Sequence, residues 1–238
     1  MENTLGMLTS SPFRLAALVG VAASLVCACA HKPLNPQSLQ EVRRLAIVVR
    51  VVEAAEVDVA RVDSDEGRAY PELSPKEADA ALAAQLAQQV GGFELEERIR
   101  AALVSRLPPT PPWSTAMPSI EVATSLDWLL VDDRSGPPDY RLLAKRGSNS
   151  VLEVVVESHG VRRAAGKTAL FARGNARMFL LDGSTLWKAP FDIDQTADPE
   201  AEALDVVELR DGAYREALTD VVGNVTDLLA KELSAGRE

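Results

Sequence analysis

The residues that chemistry would need are few and poorly spaced. Gly160 to Thr168 (GVRRAAGKT) has the composition of a phosphate-binding loop. It carries one residue too many between Gly160 and Gly166, and an alternating strand follows it where a phosphate loop opens a helix. A basic hairpin connection is the better reading. His159 is the only histidine beyond His31, so a Ser-His-Asp site would need it. Ser158 beside it points to the opposite face of a strand, and there is no G-x-S-x-G elbow. His159 therefore reads as a surface residue at a strand end. His31 and His159 have neither an H-E-x-x-H pattern nor a cysteine partner, so no metal site is expected. Asp63, Asp65 and Glu66 lack the ligand order of a calcium loop and read as a solvated acidic loop. Asp132-Asp133 and Asp192-Asp194 are paired carboxylates. On a strand, residues i and i+2 share a face, so carboxylate chemistry is geometrically open there. In a chain with 35 acidic residues such pairs arise by chance. No catalytic residue, no cofactor and no metal ligand is assigned.

The two cysteines carry a sharper signal. Leu15 to Ala28 (LAALVGVAASLVCA) is apolar or small throughout and follows Arg14. That suits the core of a signal peptide and is short for a membrane span. It ends Val26-Cys27-Ala28-Cys29, which resembles the bacterial lipobox. The resemblance implies cleavage before Cys29 and lipid on Cys29; a plain secretory signal cut nearby, or an uncleaved anchor, is the alternative. Ala30, standing where an Asp would retain the protein at the inner membrane, implies sorting to the outer membrane. Cleavage removes Cys27 and acylation uses Cys29, which leaves the folded part without a thiol or disulfide. About 210 residues remain, enough for one domain with its own core. The expected division is a signal peptide over 1–28, a lipidated Cys29 with a flexible tether over 29–43, and a single domain over 44–238.

Net charge is −10, and removing residues 1–28 takes away Glu2 and Arg14 together, so it stays there. An acidic surface repels nucleic acid and anionic headgroups, and no Lys/Arg cluster interleaved with aromatics offsets it, so no nucleic acid is expected as a partner and membrane contact is expected through the lipid on Cys29.

The element that organises the rest is a hairpin from Lys167 to Ile193. Asp182-Gly183 between alternating apolar runs reads as a two-residue type I′ turn. That turn pairs Leu180 with Thr185, Met178 with Trp187, Ala176 with Ala189 and Gly174 with Phe191 on one apolar face. The other face pairs Phe179 with Leu186, Arg177 with Lys188 and Arg173 with Asp192. Pro190 falls at a hydrogen-bonded position opposite Asn175, which requires a bulge or an edge. Phe171 and Phe179 on the polar face mark either a partner surface or packing under another element, and packing is favoured. Leu45–Val52 (LAIVVRVV) and Val151–Val156 (VLEVVV) read as strands, and a short one is expected within Val57–Val62. Ser74-Pro75-Lys76-Glu77 opens a helix with a capping box, carrying Ala78, Leu82, Leu86 and Val90. A second helix follows Gly91-Gly92, with Leu95, Ile99, Leu103 and Leu107 on one face. Ser119–Ala123 reads as a strand and Tyr140–Lys145 as a helical turn closed by Gly147. Gly212–Leu233 is the clearest helix, capped by Asp211, with Tyr214, Leu218, Val221, Val222, Val225, Leu229 and Leu233 in one stripe. It should lie on the apolar face of the hairpin. The fold class is a two-layer α+β (α/β) arrangement. It has a mixed or antiparallel sheet of about four to six strands, with helices on one face and a long C-terminal helix.

Several segments together resemble bacterial outer-membrane lipoproteins with a small α/β periplasmic domain. That group takes in the curli-secretion type, penicillin-binding-protein activators and the amino-terminal domain of TolB. The segments are the lipobox at Cys29, the opening strand Arg44 to Val49, Leu142 to Val151 running from helix into strand, and the hairpin Leu180 to Trp187. The resemblance implies a non-enzymatic protein of the outer membrane, facing the periplasm and held by lipid on Cys29. It would act on an envelope protein partner or as a homo-oligomer. Two alternatives stand beside it. A secretion-channel subunit would need membrane strands with aromatic girdles, which the sequence does not display. A periplasmic hydrolase would need Asp132, Asp192 or Asp194 in a pocket with raised pKa values.

Overall fold

The computed structural model describes residues 31–59, 70–127 and 136–235. Cys29, the signal segment, Asp63, Asp65, Glu66, Asp132 and Asp133 lie outside the described residues. A five-stranded mixed sheet forms the centre. It comprises β1 (Leu45–Val51), β2 (Glu56–Asp58), β3 (Ser150–Ala164), β4 (Lys167–Leu180) and β5 (Thr185–Asp194). The order is β1-β3-β4-β5, with β2 pairing β3 beyond the end of β1. β1 and β2 run parallel to β3, while β3-β4 and β4-β5 are antiparallel. The helices in chain order are α1 (Pro36–Leu39), α2 (Pro75–Gln89), α3 (Gly92–Arg106), α4 (Ser119–Ser125), α5 (Val206–Glu208) and α6 (Tyr214–Ala235).

One face of the sheet carries the main core. Leu152, Val154, Met178, Ala176, Trp187 and Phe191 meet the stripes of α2, α3 and α6 there. The capping box at Ser74 is present, with Glu77 Oε2 accepting from the Ser74 amide at 3.1 Å. The apolar stripe of α6 is buried from Tyr214 to Leu233 and lies on the β4-β5 hairpin as expected. Asp211 does not cap it. It pairs with Arg210 inside a π-turn over Leu209–Ala213 that Gly212 breaks at φ +130°, and the cap belongs to Asp205 one element earlier.

The hairpin register stands because two departures cancel. The Asp182-Gly183 turn is not type I′. The Gly183 amide donates to Leu180 O and the Leu180 amide to Ser184 O, both at 2.9 Å, with positive φ at Gly183 alone of the turn. This is the three-residue loop closed by a glycine bulge. It sets Phe179 opposite Thr185, so neither Leu180–Thr185 nor Phe179–Leu186 is a pair. A second bulge at Leu186 then restores Met178–Trp187 and every pair beyond it. The extra residue turns Leu186 into the main core. The type I′ signature occurs instead at Ala165-Gly166, where both φ are positive and Ala164 pairs with Lys167. The glycine-rich segment is thus the hairpin connection it was read to be.

Pro190 lies on an edge strand and costs no ladder bond. Lys188 exchanges both backbone bonds with Lys32 on the outer side of β5, so Pro190 two residues on also faces outward. It guards that edge against further pairing.

Residues read as a tether are docked: Leu34 and Val42 are buried, and Lys32 bridges β5.

Ser119–Ala123 is helix α4, not a strand. Val122 and Leu126 are one turn apart and buried together, and Glu121 pairs with Arg44 at 2.8 Å. With the 3₁₀ turn Tyr140–Arg146, α4 covers one end of the second sheet face in a smaller core of Ala46, Val48, Leu143 and Val151. Phe179 packs there against Tyr140. Phe179 is partly buried by this contact, and Phe171 is buried beneath the Arg162 guanidinium. Both phenylalanines are therefore covered by their own chain.

His159 is not at the surface. A bulge between Val156 and Ser158 shifts the alternation of β3 by one residue and turns His159 and Val161 inward. Gly174 sits opposite that bulge, where an added Cβ would lie 2.0 Å from the Val155 carbonyl oxygen. Gly174→Ala is expected to cost about 2 kcal/mol by overpacking against backbone that cannot yield. Urea unfolding followed by tryptophan fluorescence checks it, and unchanged stability would show that the strands separate freely there.

Candidate functional site

The second face of the sheet, beyond the small cover, holds the most concentrated charge chemistry among the described residues. The apolar runs Leu45–Val52 and Val151–Val156 each carry one ionic residue, Arg50 toward the end of β1 and Glu153 near the start of β3. A charge that a strand forces inside must be paired or it is not tolerated. Glu153 is 1% exposed. Its Oε1 accepts from Arg50 Nε at 2.9 Å and from the Tyr140 hydroxyl, and its Oε2 accepts from Arg177 Nε at 2.6 Å. Tyr140 enters from the 3₁₀ turn whose ring lies edge-on to Phe179 at 5.4 Å. Burial, then the adjacent Glu153 carboxylate, pushes the Tyr140 phenol above its ordinary range and keeps it a hydrogen-bond donor. The Arg177 guanidinium lies 4.7 Å over the Phe179 ring.

The row continues outward across the sheet. Register places Glu153 opposite Arg177, Arg177 opposite Lys188 and Lys188 opposite Lys32. Partners in an antiparallel pair share a face, so all four side chains are on the same side. Arg177 and Lys188 are like charges placed directly opposite, an arrangement that destabilises a sheet unless an anion stands near. Glu153 supplies one such anion to Arg177 from the inner side. Lys188 has no side-chain partner among the described residues. An open polar cavity of about 350 Å³ lies over this row, lined by Glu153, Glu157, Asn175, Arg177, Thr185 and Lys188 among others.

The paired carboxylates of the sequence are elsewhere and occupied. Asp192 pairs with Arg173 at 2.9 Å. Asp194 pairs with Arg162 and accepts from the Thr196 hydroxyl at 2.7 Å. Burial raises the Asp194 pKa, but the bonds from Arg162 and Thr196 outweigh it and hold the carboxyl below its ordinary value. A general acid would need the opposite shift. His159 lies among Leu95, Ile99, Leu218, Val221 and Val222, 6% exposed, with no partner for Nδ1. His31 Nε2 lies 3.1 Å from Glu232 at the surface. Among the described residues no group of three or more His, Cys, Asp or Glu is placed to hold a metal, and no helix is long and apolar enough to cross a membrane. The reading of the sequence missed Arg50, Tyr140, Glu153 and Lys188. The available signal was a single charge inside each of two β-branched runs.

The chain matches no family model and no curated protein. Solved structures similar to it include the lipoprotein GNA1162 from Neisseria meningitidis, at 13% identity and TM-score 0.34. That match covers 78% of this chain and 99% of the other. The hypothetical protein CT253 from Chlamydia trachomatis matches at 12% identity and TM-score 0.33, over 76% and 96% of the two chains. The LpoB C-terminal domain from Salmonella enterica matches at 12% identity and TM-score 0.26, over 64% and 82%.

Proposed function

We propose that the protein is a non-enzymatic lipoprotein of the outer membrane, held by lipid on Cys29 and facing the periplasm. It serves as an accessory or assembly component of a cell-envelope system through protein–protein contacts. The observation that carries this reading is the join between signal and fold. The chain bonds to the sheet edge at Lys32, directly after a lipobox that ends at Cys29. Anchoring confines the domain to a surface and raises its effective concentration for a membrane-bound partner, which is function without a catalytic step. The carboxylate alternative loses support at Asp194, whose pKa moves the wrong way.

Metabolic labelling with a clickable palmitate analogue tests the anchor. Wild-type protein should take up label and sediment with outer membranes. Cys29→Ala should take up none and be released to the soluble periplasm or retained with an uncut leader. Equal labelling of the two would overturn the assignment of Cys29.

A further inference from the structure

We propose that the β5 edge lies against the bilayer, with Lys32, Lys188 and Arg177 binding the phosphates of anionic lipid headgroups. This rests on the anchored reading above and gives the anchored domain an orientation.

The argument is first one of chain length. Three peptide units separate Cys29 from Lys32, and an extended chain covers about 3.5 Å per residue. Lys32 therefore stands within about 11 Å of the anchored residue. It is fixed to β5 by two backbone bonds, from Lys32 N to Lys188 O at 2.7 Å and from Lys188 N to Lys32 O at 3.0 Å. The edge of the sheet cannot swing away from the membrane as it would on a long tether.

Charge then selects what this edge meets. In a chain of net charge −10, three cations stand consecutively across one face at the anchored edge. Lys32 is exposed, with its ammonium resting on the Thr185 carbonyl oxygen and keeping two further N–H groups for a phosphate; Lys188 is half-exposed, and the Arg177 side chain is 42% exposed. Two of the carboxylates around them are ion-paired: Glu153 is held by Arg50, Arg177 and Tyr140, and Asp192 is paired with Arg173. Glu157 accepts from the neutral Asn175 amide at 2.5 Å, so the row keeps a surplus of cations over this one carboxylate. The cavity over the row is polar and open, which admits a headgroup phosphate. The opposite edge, β1, stands three strand spacings away, about 14 Å further from the membrane. That leaves the far side of the domain for a periplasmic partner.

The test uses the full chain reconstituted into vesicles of phosphatidylcholine alone or of phosphatidylcholine with phosphatidylglycerol at about three to one. Exposed amines are acetylated with a membrane-impermeant reagent and read lysine by lysine by mass spectrometry. Lys32 and Lys188 should be protected at least about three-fold on the anionic vesicles, and about 1 M salt should abolish the protection. Lys76, exposed at the start of α2 on the β2 side of the sheet, should label equally on both. Lys32→Gln/Lys188→Gln should weaken binding to anionic vesicles about 25-fold, at about five-fold per lysine near an anionic surface. Equal labelling of Lys188 on both vesicle types, with the protein floating with them, overturns the membrane-facing edge and leaves the anchor intact. A mass showing no lipid on Cys29, with Lys188 still protected, overturns the lipid and keeps the edge. A chain that does not float overturns both.

Discussion

Glu153→Ala is expected to lower the unfolding free energy by about 3 to 5 kcal/mol, the cost of breaking a buried ion pair by removing one partner. The carboxylate is the common acceptor of three donors from three elements, namely Arg50 on β1, Arg177 on β4 and Tyr140 on the 3₁₀ turn. Arg177 can turn its charge into solvent, so its share of the loss is small. Arg50 cannot, because its side chain is 8% exposed and anchored in β1 between core residues. The Tyr140 hydroxyl loses its acceptor as well, and with it the bond that ties the small cover to the sheet. Glu153→Gln should cost less than Ala, since its carbonyl still accepts one bond. Arg50→Met/Glu153→Met should cost clearly less than the sum of the two single changes, because neither partner is then left charged in the interior. Urea unfolding at neutral pH reads wild type, Glu153→Ala, Glu153→Gln, the two single Met variants and the double variant. Strict additivity would show that the buried pair is not coupled. A loss below 1 kcal/mol for Glu153→Ala would show that water reaches Arg50.

That cluster also marks how far the sequence could be read. Periodicity reports which residues face inward, so the core stripes of α2, α3 and α6 and the apolar face of the hairpin are legible from sequence alone. Turn chemistry is less decisive, because Asp-Gly serves a type I′ turn and a glycine bulge equally well. The hairpin register holds from Met178–Trp187 outward only because of the bulge at Leu186, and the two pairs nearest the turn differ from the expected ones. Bulges leave no mark in a period-two pattern, and the one after Val156 inverted the reading of His159. α4 was hidden for a different reason. Seven residues cover barely two turns, too few for a helical period to separate from a strand. The charged row was hidden because its members come from β1, β3, β4 and β5 and from Lys32 in the segment read as a tether. Only the parallel insertion of β1 beside β3 brings Arg50 to Glu153.

The buried histidine makes stability depend on pH in a direction fixed by its surroundings. His159 faces only aliphatic side chains from α3 and α6 across its pocket, and no charged group among the described residues approaches it there. Burial alone lowers its pKa to about 4, while in the unfolded chain it titrates near its ordinary value of about 6.5. The folded state therefore keeps it neutral where the unfolded state already binds a proton. Stability contributed by the neutral imidazole is fully present above pH 6.5 and is lost as pH falls toward 4. Below that both states are protonated and the loss is complete. Linkage sets the loss at about 3 kcal/mol by pH 4. His159→Leu fills a similar volume, removes the unpartnered Nδ1 and binds no proton. The variant should match or exceed wild type at pH 7.5, and the difference between the two should widen by about 3 kcal/mol between pH 7.5 and pH 4. Asp194, whose pKa is lowered in the fold, loses its own contribution as pH falls through that lowered value. It does so in both proteins, so the difference between them isolates His159. Denaturant titrations at pH 7.5, 5.5 and 4 give the curve, with buried Trp113 and Trp187 as reporters. Parallel curves for the two proteins would mean that a proton reaches His159 in the folded state at ordinary pKa, and that the α3–α6 layer opens over the sheet.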